Sequence, residues 1–233
     1  MSAESQLPLP FESAPSYGRE DFLVGKPNAG AFAYIERHPR WLAPAAVLTG
    51  PEGSGKSHLA SIFARGAGAA TMRADHLAFE AVPRLAQSGA LVLEDADRFP
   101  PDERALFHLL NLARETGLFL VITARAAPEN WGIATPDLLS RLRAQPRLTL
   151  EQPDEALLGA LFVKLFADRQ IDVEAPVVAY AMTRIERSYR AVLGLVAALD
   201  QLSLARKRPI TRALVAECLG DAPGEEDDDP EGS

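Results

Sequence analysis

The chain has 233 residues, of which 47% are hydrophobic and 24% charged, with Cys218 as its single cysteine. This composition supports a folded core and excludes disorder of the whole chain and an internal disulfide scaffold. No apolar run reaches the ~18 residues of a membrane span, and the acidic start Met1-Ser2-Ala3-Glu4 is not a secretory signal, so the expected location is cytoplasmic with no membrane partner.

The net charge of -8 is unevenly placed. Residues 221–233 carry seven acids and no base, leaving 24 bases against 25 acids in the remainder. The tail reads as a disordered, solubilising end. The near-neutral body lacks the basic excess that non-specific DNA binding requires.

Residues 1 to about 20 form a Pro- and Ser-rich leader. Pro8 and Pro10 forbid a helix, while Leu7, Leu9 and Phe11 alternate along an extended segment. Such a segment either packs on its own domain or docks its apolar side chains in a partner's groove.

A helical pattern runs from Pro27 to His38. Ala45-Ala46-Val47-Leu48-Thr49 reads as a buried parallel strand, followed by a turn over 50–57 and a helix to Arg65. A strand is expected near 70–72 and a helix from about Asp75. Ala90-Leu91-Val92-Leu93 and 118–123 are two further buried strands, separated by a helix from Pro101 to Thr116. Strands alternating with helices predict an α/β fold with a parallel sheet and helices on both faces. After Gln152 only helical patterns appear, beginning with a stripe of Leu157, Leu158, Leu161, Phe162, Leu165 and Phe166. Further helices are expected at about 174–184, 188–206 and 211–219. The expected organisation is a leader (1–20), an α/β nucleotide-binding domain (21–151), a small all-α lid (152–220) and an acidic tail (221–233).

Gly50-Pro51-Glu52-Gly53-Ser54-Gly55-Lys56-Ser57 fits the phosphate-loop pattern G-x-x-x-x-G-K-[ST] in full. The glycines let backbone amides converge on a phosphate, Lys56 reaches the β/γ oxygens, and the Ser57 hydroxyl suits Mg²⁺. The pattern follows a buried strand and opens a helix, the context that the mechanism needs. About forty residues on, the strand Leu91-Val92-Leu93 ends in Glu94-Asp95. In P-loop ATPases, acids at such a strand end hold the metal and polarise water. The order here is Glu-Asp, the reverse of the usual arrangement, which predicts nucleotide binding with slow hydrolysis.

The order of these elements resembles the AAA+ ATPases, so an AAA+ P-loop sheet followed by a helical lid is the implied fold. More narrowly, the chain is similar to the DnaA-related family and its truncated Hda branch. Phe22-Leu23-Val24-Gly25-Lys26-Pro27-Asn28 resembles the segment lying near the adenine, Ser140-Arg141-Leu142 the arginine-finger box, Arg190-Ala191-Val192-Leu193-Gly194 the sensor-II run, and Arg208-Pro209-Ile210-Thr211 a segment closing the lid. Gln6-Leu7-Pro8-Leu9-Pro10-Phe11 looks like the family's sliding-clamp-binding motif.

The resemblance implies a nucleotide site at Val24, Gly50, Glu52, Gly53, Ser54, Gly55, Lys56, Ser57, His58 and Arg190. It implies ADP as the bound nucleotide, with ATP as the alternative and Mg²⁺ at Ser57 and Glu94. It implies clamp contacts through Gln6, Leu7, Leu9 and Phe11, a finger at Arg141 for a partner's nucleotide, and Asp95 as a second, weaker catalytic candidate. The implied partners are DnaA and the sliding clamp, the beta subunit of DNA polymerase III. No direct sequence-specific DNA binding is expected, because too little chain follows Thr211 for a DNA-reading domain. A homo-oligomer is left open. The implied function is negative regulation of replication initiation by stimulating ATP hydrolysis on DnaA. The alternative is an active AAA+ ATPase of helicase-loader type. A small-substrate P-loop kinase is a third reading, one that leaves the leader motif without a role.

Overall fold

A computed structural model describes residues 18–220. The leader motif and the acidic tail lie outside the described residues. Five strands form one parallel sheet in the order β2-β3-β4-β1-β5: β1 Ala45–Thr49, β2 Ala70–Arg73, β3 Ala90–Glu94, β4 Phe119–Ala124 and β5 Arg147–Thr149. β1, β3 and β4 are continuous apolar runs because side chains on both of their faces are covered.

The pleat sorts those runs into two cores. Ala45, Val47, Leu91, Leu93, Leu120 and Ile122 pack on one face against α4 (Glu103–Thr116), the one-turn α3 (Val82–Leu85) and α5 (Pro136–Arg143). Ala46, Leu48, Val92 and Val121 pack on the other against α1 (Ala29–Ile35) and α2 (Lys56–Ala67). Each fully buried Leu or Ile contributes about 1.5–3 kcal/mol relative to exposure. A third core is built from α6 (Glu155–Ala167), α7 (Ala175–Met182), α8 (Tyr189–Arg206) and α9 (Arg212–Leu219), with Phe162 and Phe166 in T-shaped contact at 4.9 Å.

Two differences from the sequence reading have physical causes. The helix expected from Asp75 is broken into 3-10 turns at Ala74–His76 and Phe79–Ala81 before α3. Pro83 has no amide to donate and must sit in a first turn, so one long helix through 75–85 is excluded. β5 was not expected. It has three residues with only Leu148 buried, and it completes the sheet at β1's free edge. Among the described residues no helix is long and apolar enough to cross a membrane.

Local chemistry fixes α4 and, through it, α5. Asp102 caps α4, its Oδ1 accepting from the amides of Arg104 (2.8 Å) and Ala105 (3.0 Å). Glu103, in the first turn, accepts from the amides of Ala134 and Thr135, both at 2.8 Å, and so pins the entry to α5. The cap and the core make separable contributions. Asp102→Ala is expected to cost about 1 kcal/mol, and Leu106→Ala, which opens a cavity, about 2–5 kcal/mol. Urea unfolding should show both as lower midpoints at unchanged slope.

Candidate functional site

The strand register gathers the site at the C-terminal end of the sheet. Thr49 lies opposite Ala124, and Leu93 opposite Ile122, so the chains leaving β1, β3 and β4 emerge side by side. Hydrogen bonds lace these exits together. The Thr123 hydroxyl accepts from the Asp95 amide (3.0 Å), the Thr123 carbonyl from the Ala96 amide (2.9 Å), and the Ala124 carbonyl from the Gly50 amide (3.3 Å). In parallel α/β sheets such a crevice at the strand ends is where ligands bind.

The loop 50–57 then turns into α2. Gly53 and Gly55 adopt φ of 76° and 92°, in the left-handed region that suits glycine. Both are also crowded. A Cβ on Gly53 would lie 2.6 Å from the Ser188 Cβ, and one on Gly55 3.3 Å from the Tyr189 ring. The loop therefore touches the N-terminus of α8 directly, and the Tyr189 amide donates to the Gly53 carbonyl at 3.4 Å.

Lys56 is buried, and its Nζ donates to the carbonyls of Gly50 (2.8 Å) and Pro51 (2.7 Å). Burial pushes its pKa below the ordinary lysine value, and Arg125 pushes the same way, while Asp95, Asp97 and Glu52 oppose. The Ser54 hydroxyl is buried inside the loop with no hydrogen-bond partner. Buried polar atoms are normally paired. An orphan hydroxyl, a glycine-rich turn at a helix N-terminus and a lysine beside it fit a phosphate group. Ser57 is exposed on the first turn of α2. Glu94 is half-buried with its pKa raised, first by desolvation and then by the charge of Asp95. Asp95 itself has φ of 56°, so its backbone is held off the strand path.

The remaining expected contacts arrive from both ends of the chain. Phe22 stacks on Phe32 (5.4 Å) and meets His58 edge-on (5.1 Å), while His58 Nε2 lies 2.8 Å from the Gly18 carbonyl. Val24 is 47% exposed on the same segment. Asn28 is buried and clasps three pieces. Its Oδ1 accepts from the Gly25 amide (2.9 Å), and its Nδ2 donates to the Leu23 carbonyl (2.9 Å) and the Tyr189 hydroxyl (3.0 Å). Arg190 is exposed, one residue beyond Tyr189. Tyr189 and Ser188 were missed by sequence reasoning. A serine before a helical run is a cap signal, and Ser188 does cap α8 by accepting from the Ala191 amide, but nothing local reveals what the cap rests on.

Arg141 stands apart, on α5. Its guanidinium lies 4.7 Å from the centre of the Phe107 ring on α4. It lines an open hollow of about 520 Å³ with His108, Asn111, Leu112, Arg114 and Glu115. Neighbouring Arg143 is instead paired with Glu129 at 3.2 Å.

Residues 158–219 match the family model described as the lid domain of Hda. This stretch is therefore an Hda-type lid domain. Its fold matches domain III of the Thermotoga maritima replication initiation protein DnaA with a TM-score of 0.74 and 18% identity, over 89% of this chain and 97% of that one. AMPPCP-bound DnaA from Aquifex aeolicus matches with a TM-score of 0.69 and 20% identity, over 83% and 69%. A variant of Thermotoga maritima RuvB gives 0.68 and 17%, over 85% and 70%. At these identities the likenesses fix the AAA+ fold, and the Hda-type lid is the more specific match.

Tyr189 gives this junction a pH signature. Burial, with the charge of Asp154 adding, raises its phenol to about 12 despite the bond from Asn28. The unfolded phenol ionises near its ordinary value of 10.0, so stability present below that pH is lost as pH rises toward 12. Tyr189→Phe should lose less stability over that interval in urea unfolding. Tyr34, also raised by burial, retains part of the effect in both proteins.

Proposed function

We propose that this Hda-type protein holds an adenine nucleotide in its own phosphate loop and regulates DnaA, stimulating hydrolysis of DnaA-bound ATP while attached to the sliding clamp. The observation that carries the reading is the seat of the Hda-type lid on a complete phosphate loop, Ser188 and Tyr189 on Gly53 and Gly55. The proposed division places the nucleotide-binding domain at 21–151 and the lid at 152–220.

In this reading Gly50, Glu52, Gly53, Ser54, Gly55 and Lys56 surround the phosphates, and Ser54 gains the partner it lacks. Val24, His58 and the Phe22 segment face the base, and Arg190 approaches from the lid. ADP is the proposed resident nucleotide and ATP the alternative. Mg²⁺ would be held by Ser57 and Glu94, where a divalent charge would reverse the raised pKa of Glu94. Lys56 supplies charge without needing to move far, because two loop carbonyls already hold its ammonium at the loop. Reversed acids at 94 and 95 make this chain a holder of nucleotide, with Asp95 the weaker catalytic candidate.

Arg141 would act on the partner's nucleotide. The guanidinium sits over the Phe107 face, and Glu103 fixes the start of its helix. A planar fork offers several donors to a phosphoryl group as charge develops on it. Arg143 is a poorer candidate, since its side chain is tied to Glu129, which it shares with Arg147. Gln6, Leu7, Leu9 and Phe11 lie outside the described residues and remain the proposed clamp contacts, supported by their likeness to that motif.

Four experiments test this reading. The ADP-induced thermal shift of the wild type should disappear in Lys56→Ala; mass action predicts about 2.7 kcal/mol of ligand stabilisation at a hundredfold excess over Kd. An unchanged shift contradicts the nucleotide site. In a mixture of DnaA, ATP and clamp on DNA, Arg141→Ala should keep its ADP and its clamp retention yet fail to stimulate hydrolysis, by roughly 10³-fold or more if it acts as fingers do elsewhere. Full stimulation by that variant refutes the finger. Loss of clamp retention in a Gln6→Ala, Leu9→Ala variant supports the motif. Phosphate release by the protein alone that vanishes in Asp95→Ala would favour the active-ATPase reading.

A further inference from the structure

We propose that the chain's own acidic tail, residues 221–233, occupies a cationic edge of the lid formed by Arg206, Lys207, Arg208 and Arg212, and keeps other polyanions off it. The contact needs no nucleotide in the phosphate loop.

The edge is built on the turn between α8 and α9. From Gln201 to Ala216 the chain holds four cations and no aspartate or glutamate, and all four cations are exposed. Local bonds hold the turn that carries them. Lys207 ends α8 with a left-handed φ of 52°, its amide donating to the Ser203 carbonyl. The Ser203 hydroxyl donates to the Arg208 carbonyl at 2.6 Å. Ile210 is buried in the lid core, and Thr211 caps α9 by accepting from the Leu214 amide at 3.3 Å. Arg206 meets the Glu217 carboxylate at 2.8 Å. Lys207, Arg208 and Arg212 make no ion pair among the described residues, and Arg212 donates to the Pro176 carbonyl at 3.4 Å. Like charges gathered on one fixed turn repel one another, and an anion relieves them.

The tail is the anion nearest to hand. The Arg206–Glu217 contact sets the end of α8 against the last turn of α9, three residues before the chain passes Gly220. At ~1.5 Å per residue α9 is about 12 Å long, and the tail extended spans roughly 43 Å, so reach is ample. The tail carries seven acids, five of them consecutive from Glu225 to Asp229. Pro223-Gly224, a turn-forming pair, stands between α9 and that run, and a reversal there directs the acids back along α9. A tether this short presents them at an effective concentration on the order of millimolar. Exposed ion pairs are individually weak, so the contact is spread over several and is screened by salt. An open edge would draw nucleic-acid phosphates without regard to sequence. The tail answers that attraction within the chain.

The test is carbodiimide cross-linking of the full-length protein, which joins a lysine amine to a carboxylate in contact with it. Of the four lysines, Lys207 reports on the edge and exposed Lys26 is the control, since Lys56 is buried and Lys164 is paired with Asp21 and Asp168. Peptide mass spectrometry should find Lys207 joined to the 225–229 run within one chain, at a rate independent of protein concentration. Arg208→Glu with Arg212→Glu should lower that rate by roughly threefold to tenfold, the worth of two exposed ion pairs. About 0.5 M NaCl should lower it in the wild type as well. The variant should fold, because both side chains are exposed and an acid in the first turn of α9 suits the helix dipole. Equal joining of the tail to Lys207 and Lys26, or a rate that neither charge reversal nor salt changes, overturns the proposal. Joining only between two chains, rising with concentration, makes a second copy the occupant and also overturns it. A second measurement uses labelled duplex DNA at low salt. Neutralising Glu225, Glu226, Asp227, Asp228 and Asp229 to their amides should tighten binding by roughly fivefold or more, and adding Arg208→Glu with Arg212→Glu should abolish the gain. Wild type binding the duplex as tightly as the neutralised variant assigns the edge to nucleic acid and refutes the tail as its occupant.

Discussion

Much of this architecture depends on one contact, the seat of the α8 N-terminus on the phosphate loop. Gly53 has no side chain, and the Ser188 Cβ occupies the place where one would stand. The approach is possible only because Gly53 also takes a left-handed backbone at no steric cost. Three things follow from it. Ser188 caps its helix at that point, Tyr189 lies over Gly55, and the Tyr189 phenol meets Asn28. Asn28 in turn holds the 22–28 segment, whose Phe22 closes against α1 and α2. Lid, loop and entry segment are therefore one mechanical unit. Lys164 of α6 adds a further tie, reaching Asp21 at 3.1 Å.

The second constraint is electrostatic. Desolvation disfavours the charge on Lys56, and two backbone carbonyls with nearby carboxylates compensate. The compensation is spread over Asp95, Asp97 and Glu52, and none of these makes a direct bond to the ammonium among the contacts described. Burial still wins over these carboxylates, so the net direction for Lys56 is down. The orphan Ser54 hydroxyl and the orphan second oxygen of Asp97 belong to the same region of strand exits. Polar groups left unpaired beside a buried cation raise the free energy of the site without a ligand, and an anion with several acceptor oxygens relieves the hydroxyl and the ammonium together.

How far the sequence could be read depended on how local each signal was. β1, β3 and β4 were legible because burial on both faces makes them continuous apolar runs, and the phosphate loop because its chemistry needs fixed residues at fixed spacing. α6 was legible as a stripe, and α4 through its acidic first turn. β5 escaped because three residues alternating exposed, buried, exposed differ little from a loop. The break at 75–85 was written in Pro83, whose consequence for a long helix outweighs the propensity around it. The tie between Asn28 and Tyr189 spans 161 positions, and no periodicity connects such a pair. Glu52 and Arg125 likewise become neighbours only through the β1–β4 register. The residues of the loop could be named from sequence, but what rests on the loop could not.

The two arginines, 125 and 141, illustrate why position in the fold matters more than residue type. Arg125 follows a strand into the crevice, where carboxylates and a lysine already define the field, so its charge acts within this chain's own site. Arg141 projects from α5 over Phe107 into a hollow lined by α4, and no phosphate-loop residue lines that hollow. Its guanidinium rests on an aromatic face without a carboxylate partner among its described contacts, whereas Arg143, two residues on, shares Glu129 with Arg147. An arginine held over an aromatic face by a cation–π contact still has N–H donors to offer to an anion. That combination suits recognition of an anion delivered from outside. On the proposed reading the division follows directly. The crevice cations bind what this protein carries, and the stacked arginine addresses what its partner carries. The same helix α4 then serves both tasks, since its first-turn Glu103 orients α5 while its buried face supports the sheet that holds the loop.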